Sequence, residues 1–294
     1  MTASALRPAV PLLVLIIAGC SNGVRTSFGL FTLPMTADLG LSREGWGMAM
    51  AIQNLAWGVA QPFAGAYADR VGTARTIALG AAIYALGVLG MAFSPDAGIM
   101  TLTAGIVTGT GIAICSFSVV MAAFGRSVPV EKRSMIFGVA TAASSFGQFA
   151  FAPISQGFIN AFGWQSALLY LAMALLLIIP LSYALRGRTE NPVGQADLPF
   201  MQTLAQAWGH GSYRLLVIGF FVCGFHLAFI NVHMPAYLVQ CGLSPSVGSW
   251  AIAVIGLFNI VGSLLAGYLG GRLPKQLLLA AIYFSRAVAI GLFL

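Results

Sequence analysis

Stretches of about 18 to 26 mainly apolar residues, the length a helix needs to cross roughly 30 Å of hydrocarbon, recur along the chain with short polar breaks between them. Nine can be read: residues 10–33, 45–67, 76–93, 99–121, 135–159, 165–185, 215–239, 247–269 and 276–294. The runs are continuously apolar and rich in Ala, Leu and Gly. Alternation of inward and outward residues, the mark of membrane strands, is missing. The pattern predicts an all-α polytopic membrane protein with nine visible spans.

Composition agrees, since 59% of the residues are hydrophobic and only 7% are charged. Such a chain cannot cover a soluble globule with polar surface, so its solvent is lipid. Of the fourteen basic residues, eleven fall on one side of this threading: Arg7, Arg70, Arg75, Arg126, Lys132, Arg133, Arg186, Arg188, Arg214, Arg272 and Lys275. Only Arg43 falls on the other. Loops retained in the cytoplasm keep Lys and Arg, so the expected placement is a bacterial inner membrane with a cytoplasmic N-terminus. The net charge of +7 is therefore an orientation signal. It is not the footprint of nucleic-acid binding, which needs basic residues clustered on one soluble face.

Cys20, Cys115, Cys223 and Cys241 lack C-x-x-C spacing, so neither a disulfide framework nor a metal site is expected, and no cofactor motif is present. The run Ile17-Ala18-Gly19-Cys20 has the form of a lipoprotein cleavage signal. Cleavage there would destroy the first helix, and small residues of this kind are common where membrane helices pack closely.

The chain repeats itself. Gly40-Leu41-Ser42 recurs as Gly242-Leu243-Ser244, and the following helices end in Gly65-Ala66-Tyr67-Ala68-Asp69-Arg70 and Gly267-Tyr268-Leu269-Gly270-Gly271-Arg272, all at an offset of 202 residues. Leu33-Pro34 and Met234-Pro235 match with a slip of one. This implies two parallel six-helix halves: a bundle over residues 1–185, a central cytoplasmic loop over 186–214, and a partial second bundle over 215–294 holding helices seven to nine. By this repeat about three further spans, on the order of 100 residues, are expected beyond residue 294, and the 294-residue form is expected to be inactive.

After the second span, Gly65-x-x-x-Asp69-Arg70-x-Gly72-x-x-Arg75 resembles the signature loop between helices two and three of the major facilitator superfamily. Thr73 and Ala74 stand where that loop is usually basic. Gly138-x8-Gly147 followed by Pro153, Gly157 and Gly163-Trp164-Gln165 is similar to the family's fifth helix and the loop after it. Ala152-Pro153 replaces the usual Gly-Pro pair, and Gln165 the usual Arg. The resemblance covers essentially the whole chain. It implies two pseudo-symmetric halves, the second incomplete, and a gating role for Gly65, Asp69, Arg70, Gly72 and Arg75. A second reading makes Asp69, Arg70 and Arg75 an interfacial charge network that anchors orientation.

The acids Asp38, Glu44, Asp69, Asp96, Glu131, Glu190 and Asp197 all fall in loops or at helix ends. Arg25 does not, for it lies well inside the first helix. Arg286 is eleven residues past Lys275, about 16 Å into the ninth. A guanidinium at such depth costs at least about 2.5 kcal/mol unless it faces a cavity or a partner, and no acid is at hand to neutralise either one. An anionic substrate would supply the missing charge, and a carboxylate suits the planar fork of Arg.

The proline offset makes His226 of the seventh helix the symmetry mate of Arg25, so the two are expected to face each other across a central cavity. Arg25-Thr26-Ser27-Phe28-Gly29-Leu30-Phe31 resembles the first helix of the monocarboxylate and oxalate-formate porter branch, which carries a basic residue at the corresponding place. Gly224-Phe225-His226-x-Ala228-Phe229-x-x-x-His233-x-Pro235-Ala236-Tyr237 is similar in the seventh. In the eighth, where many such porters place an Arg and a nearby acid, the chain offers only Asn259 and Ser263 in their place. The expected substrate-binding residues are Arg25, His226 and Arg286, with His226 the visible proton carrier. Gln53, Gln61, Asn231, His233 and Asn259 are the other candidate polar residues of the cavity. Gln53, Trp57 and Gln61 form one stripe on the second helix, for which hydrogen bonding between helices is the simpler account.

Together these features point to a monomeric secondary transporter of small organic anions, possible proton coupling included, working by alternating access. The alternatives are an efflux transporter of apolar or cationic compounds, which would ordinarily need a buried acid, and a non-transporting receptor or assembly subunit. An enzyme is not indicated, because no His/Asp/Glu cluster or H-E-x-x-H motif occurs, and without a Walker-type loop ATP-driven transport is not encoded in this chain.

Overall fold

A computed structural model describes residues 9–116, 118–119, 121, 130–183 and 200–293. Arg7, Arg126, Arg186, Arg188, Glu190 and Asp197, which the charge pattern used, lie outside the described residues. The first crossing is α1 (Ala9–Thr26), a 3-10 turn (Phe28–Phe31) and α2 (Thr32–Leu39). The second is α3 (Arg43–Val71) and the third α4 (Thr73–Ala92). The fourth combines α5 (Ala97–Met100), a π-helical turn (Thr101–Val107) and α6 (Thr108–Ile114). Then come α7 (Val130–Leu176), α8 (Ile178–Tyr183), the short α9 (Phe200–Gly209), and the long α10 (Gly211–Gln240), α11 (Pro245–Leu269) and α12 (Lys275–Phe293).

Seven described segments are long and apolar enough to cross a membrane. One of them, Arg133–Tyr183, has 51 residues and holds two helices meeting at Gly163. The 29-residue α3, about 43 Å long at the helical rise, completes the nine expected crossings. Among the described residues there is no strand, as expected where backbone groups must satisfy one another because lipid cannot.

The breaks follow from local chemistry. Gly72 has φ +98°, a conformation open in practice only to glycine, so α3 stops there and α4 starts at the next residue. Gly163 does the same at φ +80° between the fifth and sixth crossings. The indole of Trp164, 4% exposed, then donates to Asp38 Oδ2 at 2.6 Å and ties the turn to the end of α2. The sequence repeat is a backbone repeat too. Gly40 and Gly242 both have positive φ, and Ser42 and Ser244 begin α3 and α11 with nearly the same extended dihedrals. Ser42 also accepts the Gly45 N–H at 3.0 Å as an N-cap.

Small residues set how closely the helices approach. Gly19 and Gly23 of α1 meet Ala143, Gly147 and Phe151 of α7, and Gly80, Gly87 and Gly111 hold α4 against α6. Around these crossings lies a core of Phe28, Phe31, Trp46, Ile77, Tyr84, Met91, Leu168 and Leu175, each at most 1% exposed. A Cβ at Gly147 would collide with the Gly19 carbonyl. Gly147→Leu is therefore expected to cost about 1 to 3 kcal/mol and to lower the thermal midpoint of the purified protein. Gly157→Leu, where the added Cβ meets nothing within 4 Å, should leave that midpoint in place, and equal effects would contradict this packing.

The first six crossings meet the last three along two seams. In one, α7 packs on α11 through Gly138 against Gly267 and Gly256 against Ser145 and Phe149, with Ser134 Oγ donating to the Gly267 carbonyl at 2.9 Å. In the other, the turn after α1 crosses α10, and Gly29 leaves room for the Asn231 carbonyl.

Candidate functional site

The second seam holds a small, partly open cavity. Arg25, Thr26, Phe28 and Gly29 line it from the first crossing, Met50, Gln53 and Asn54 from α3, and Ala228, Asn231 and Val232 from α10. Arg25 reaches this wall from the last turn of α1. Its Nη2 donates to Asn54 Oδ1 at 3.1 Å, and its guanidinium carbon sits 4.3 Å from the centre of the Trp57 ring. Those partners position the cation without cancelling its charge. Among the described residues no carboxylate forms an ion pair with it, and the charge stays uncompensated at the cavity.

The amide stripe on α3 is satisfied by its neighbours. Gln53, 3% exposed, donates to the Ala104 carbonyl at 2.7 Å and also lines the cavity. Trp57 Nε1 donates to Gln61 Oε1 at 2.8 Å, and Gln61 Nε2 to Ser116 Oγ at 2.8 Å. Gln61 thus joins α3 to the residues just after α6, away from the cavity. Asn54 was legible only as one more polar residue off the stripe, yet it is the direct partner of Arg25.

His226 is the main departure from expectation. The C-terminal side of the cavity is formed by Ala228, Asn231 and Val232, and His226 is not part of it. Five residues of helix turn it about 140° away from Asn231. It comes instead within electrostatic reach of Arg286. The same face of α10 carries Gly219, beside Tyr283 of α12. Of the three expected substrate residues, only Arg25 lines the cavity. Nη1 of Arg286 is buried with no hydrogen-bond partner among the described residues.

Asn231, in contrast, lies on the cavity wall. Its Oδ1 accepts from Gln148 Nε2 at 3.4 Å, and the same nitrogen lies 3.4 Å from the Ile252 carbonyl. Gln148, 5% exposed on α7, was not singled out by the sequence, where its only signal is an amide inside an apolar run next to Gly147. Asn259 lies outside the cavity lining. His233 is exposed, ends a ladder of rings formed with Phe221, Phe225 and Phe229, and lies beside Gly47 of α3.

At this end of the bundle the Gln240 side-chain oxygen, in its hydrogen-bonding orientation, accepts from both terminal nitrogens of Arg43. That contact joins the start of α3 to the end of α10. The loop carrying Gly65, Asp69, Arg70, Gly72 and Arg75 is at the other end of α3, with the side chains of Asp69, Arg70 and Arg75 exposed. Among the described residues no group of three or more His, Cys, Asp or Glu could hold a metal ion.

The sequence model of the family described as the Major Facilitator Superfamily matches residues 13–294. The chain is 26% identical to the "Uncharacterized MFS-type transporter YcxA" of Bacillus subtilis (strain 168), over 96% of this chain and 69% of that one. It is 25% identical to "Monocarboxylate transporter 13" of Rattus norvegicus, over 86% of this chain and 58% of that protein's length. Its fold is similar to that of a proton:xylose symporter, XylE, with a TM-score of 0.63 at 16% identity, covering 88% of this chain and 68% of the other. A bacterial homologue of the lysosomal transporter Spinster, in an inward-facing and unoccupied conformation, superposes with a TM-score of 0.64 at 17% identity, covering 93% and 65%.

Proposed function

Because this multi-pass membrane chain belongs to the major facilitator superfamily, a family of transporters and not of enzymes, we propose that it is a secondary transporter whose substrate is a small organic anion bound at Arg25. The observation that carries this reading is the half-buried guanidinium on a small cavity with an amide and an indole as partners and no acid among the described residues to neutralise it. A carboxylate entering the cavity completes the charge balance and accepts two N–H bonds from the guanidinium fork. Similarity to a monocarboxylate transporter of the rat supports the same class at 25% identity.

Transport follows from the seams. The cavity wall is shared between residues on either side of the central loop, so tilting α10 and α11 against the first six crossings exposes Arg25 alternately to the two faces of the membrane. The basic loops favour an N-terminus in the cytoplasm of a bacterial cell, with the Arg43 end outside. On this reading 1–185 and 215–294 are the parts that move about the 186–214 linker. Arg43 with Gln240 closes the outer end, and the loop from Gly65 to Arg75 gates the inner one.

Uptake of radiolabelled short carboxylates by proteoliposomes holding the full-length protein tests the reading. One or more acids should show saturable uptake, and an inward proton gradient that accelerates it would identify symport. Saturable transport of apolar or cationic compounds, with silence across the acids, would sink the proposal in favour of efflux.

A further inference from the structure

The helix that precedes α10, α9, has ten residues and belongs neither to a crossing nor to the core. At the helical rise it is about 15 Å long, half of what a crossing needs. From Gln202 to Gly209 none of its residues is buried. Phe200, Leu204 and Trp208 recur four apart along it, and Gln202 and Gln206 fall on the side opposite Leu204. Leu204 and Trp208 are exposed large apolar side chains, and the helix carries no charged residue.

What lies against this apolar side follows from where the helix ends. His210 is extended, with φ −84° and ψ 122°, so the chain changes direction there, and the 30-residue span α10 begins at the next residue. Across that break the Trp208 ring meets the Tyr213 ring edge-on, with centroids 6.4 Å apart. Arg214 follows, and after it no Asp, Glu, Lys or Arg occurs before Arg272. Trp208, Tyr213 and Arg214 therefore mark the level at which water gives way to hydrocarbon. An indole or a phenol at that level keeps its ring in the acyl boundary and its polar tip among the headgroups. The contact with Tyr213 holds the end of α9 there. A short uncharged helix with one apolar side then buries that side by lying along the membrane plane.

We propose that α9 is an interfacial helix whose partner is the lipid surface of the leaflet in which α10 begins. Leu204 and Trp208 sit in the acyl boundary, and Gln202 and Gln206 face water. The attraction is burial of apolar area, because α9 has no Lys or Arg with which to select anionic lipid. The segment before α10 is then no free tether. In the transport reading above α10 tilts, and α9 fixes the depth of its start while the far end moves.

Nitroxide labels on the full-length protein in phosphatidylcholine vesicles test this placement. They are attached one at a time through Gln202→Cys, Leu204→Cys and Gln206→Cys, all exposed positions, in a background without Cys20, Cys115, Cys223 and Cys241. Collisions with oxygen, which concentrates in hydrocarbon, and with a water-soluble nickel chelate report the two environments. The ratio of oxygen to nickel collisions should be about tenfold higher at 204 than at 202 and 206. Trp208→Gln should shift the label at 204 toward the chelate, and anionic lipid added to the vesicles should leave the pattern in place. Three labels equally open to the chelate would make α9 a solvated linker. A label at 204 shielded from both reagents would put protein against that side. Either result overturns the proposal, as does a pattern that appears only with anionic lipid.

Discussion

Arg25→Ala is expected to lower carboxylate uptake by about 10²- to 10³-fold, the scale on which removing one partner of a buried, hydrogen-bonded charge pair is felt. The protein should still insert, since the first crossing, Leu12–Leu39, is apolar enough to span and the alanine removes a charge that lipid penalises. Arg25→Lys should restore only part of the activity. A lysine offers a point charge in place of the planar fork that bonds Asn54 and lies over Trp57. The loss should appear chiefly in KM, because the guanidinium is the group that binds the anion. Membrane abundance and thermal midpoint measured beside uptake separate the cases. Parental uptake by Arg25→Ala at equal abundance would remove Arg25 from the site.

The second large effect is expected at Gly29. In the turn after α1, any Cβ at this position would overlap the carbonyl of Asn231, and the Val232 carbonyl is close behind. These are backbone atoms of α10 and cannot yield as the end of a flexible side chain could. Gly29→Leu should therefore disfavour the arrangement in which the first crossing and α10 touch. A strain of about 1 to 3 kcal/mol moves the balance between two conformations roughly 5- to 150-fold. Transport should fall while binding survives.

A cysteine placed at Ala228 on the cavity wall, in a background without Cys20, Cys115, Cys223 and Cys241, provides the readout. Its labelling by a membrane-impermeant maleimide from the Arg43 end should be at least about tenfold faster in Gly29→Leu than in the parent. Unchanged labelling would mean that the seam does not open there. Replacing Arg43 tests the same opening independently, because its contact with Gln240 is the polar fastening at that end.

The two large predictions differ in how far the sequence could have led to them. Arg25 is legible at once, since an arginine inside an apolar run that contains no acid is expensive wherever the helix faces. Gly29 is not. It is one of 35 glycines, and nothing in its neighbours along the chain says which of them meets another backbone. The turn glycines lie between these extremes. Gly40 and Gly242 announce themselves by recurring at a fixed offset, and both prove to have the positive φ that makes glycine necessary.

His226 and Asn231 show where one-dimensional reasoning stops. The sequence repeat identifies α10 as the counterpart of the first crossing, which is a statement about order along the chain. It cannot say which face of α10 meets the cavity. A slip of one residue in the alignment rotates the expected face by about 100°. The true wall is set by Ala228, Asn231 and Val232, and His226 falls on the side of Arg286. Gln148 was unreadable for a related reason: its importance lies in partners 83 and 104 residues away.

The sequence by itself determined the solvent, the number of crossings, the repeat and the buried arginine. Those properties are sums over local transfer energies: lipid forbids unpaired backbone, so every long apolar run must be a helix. Only the tertiary structure decided rotation and contact. In lipid a helix such as α10 is apolar nearly all round, so hydrophobicity selects no face, and the choice passes to close packing at small residues and to a few amides. That is why Asn231 and not His226 stands across from Arg25.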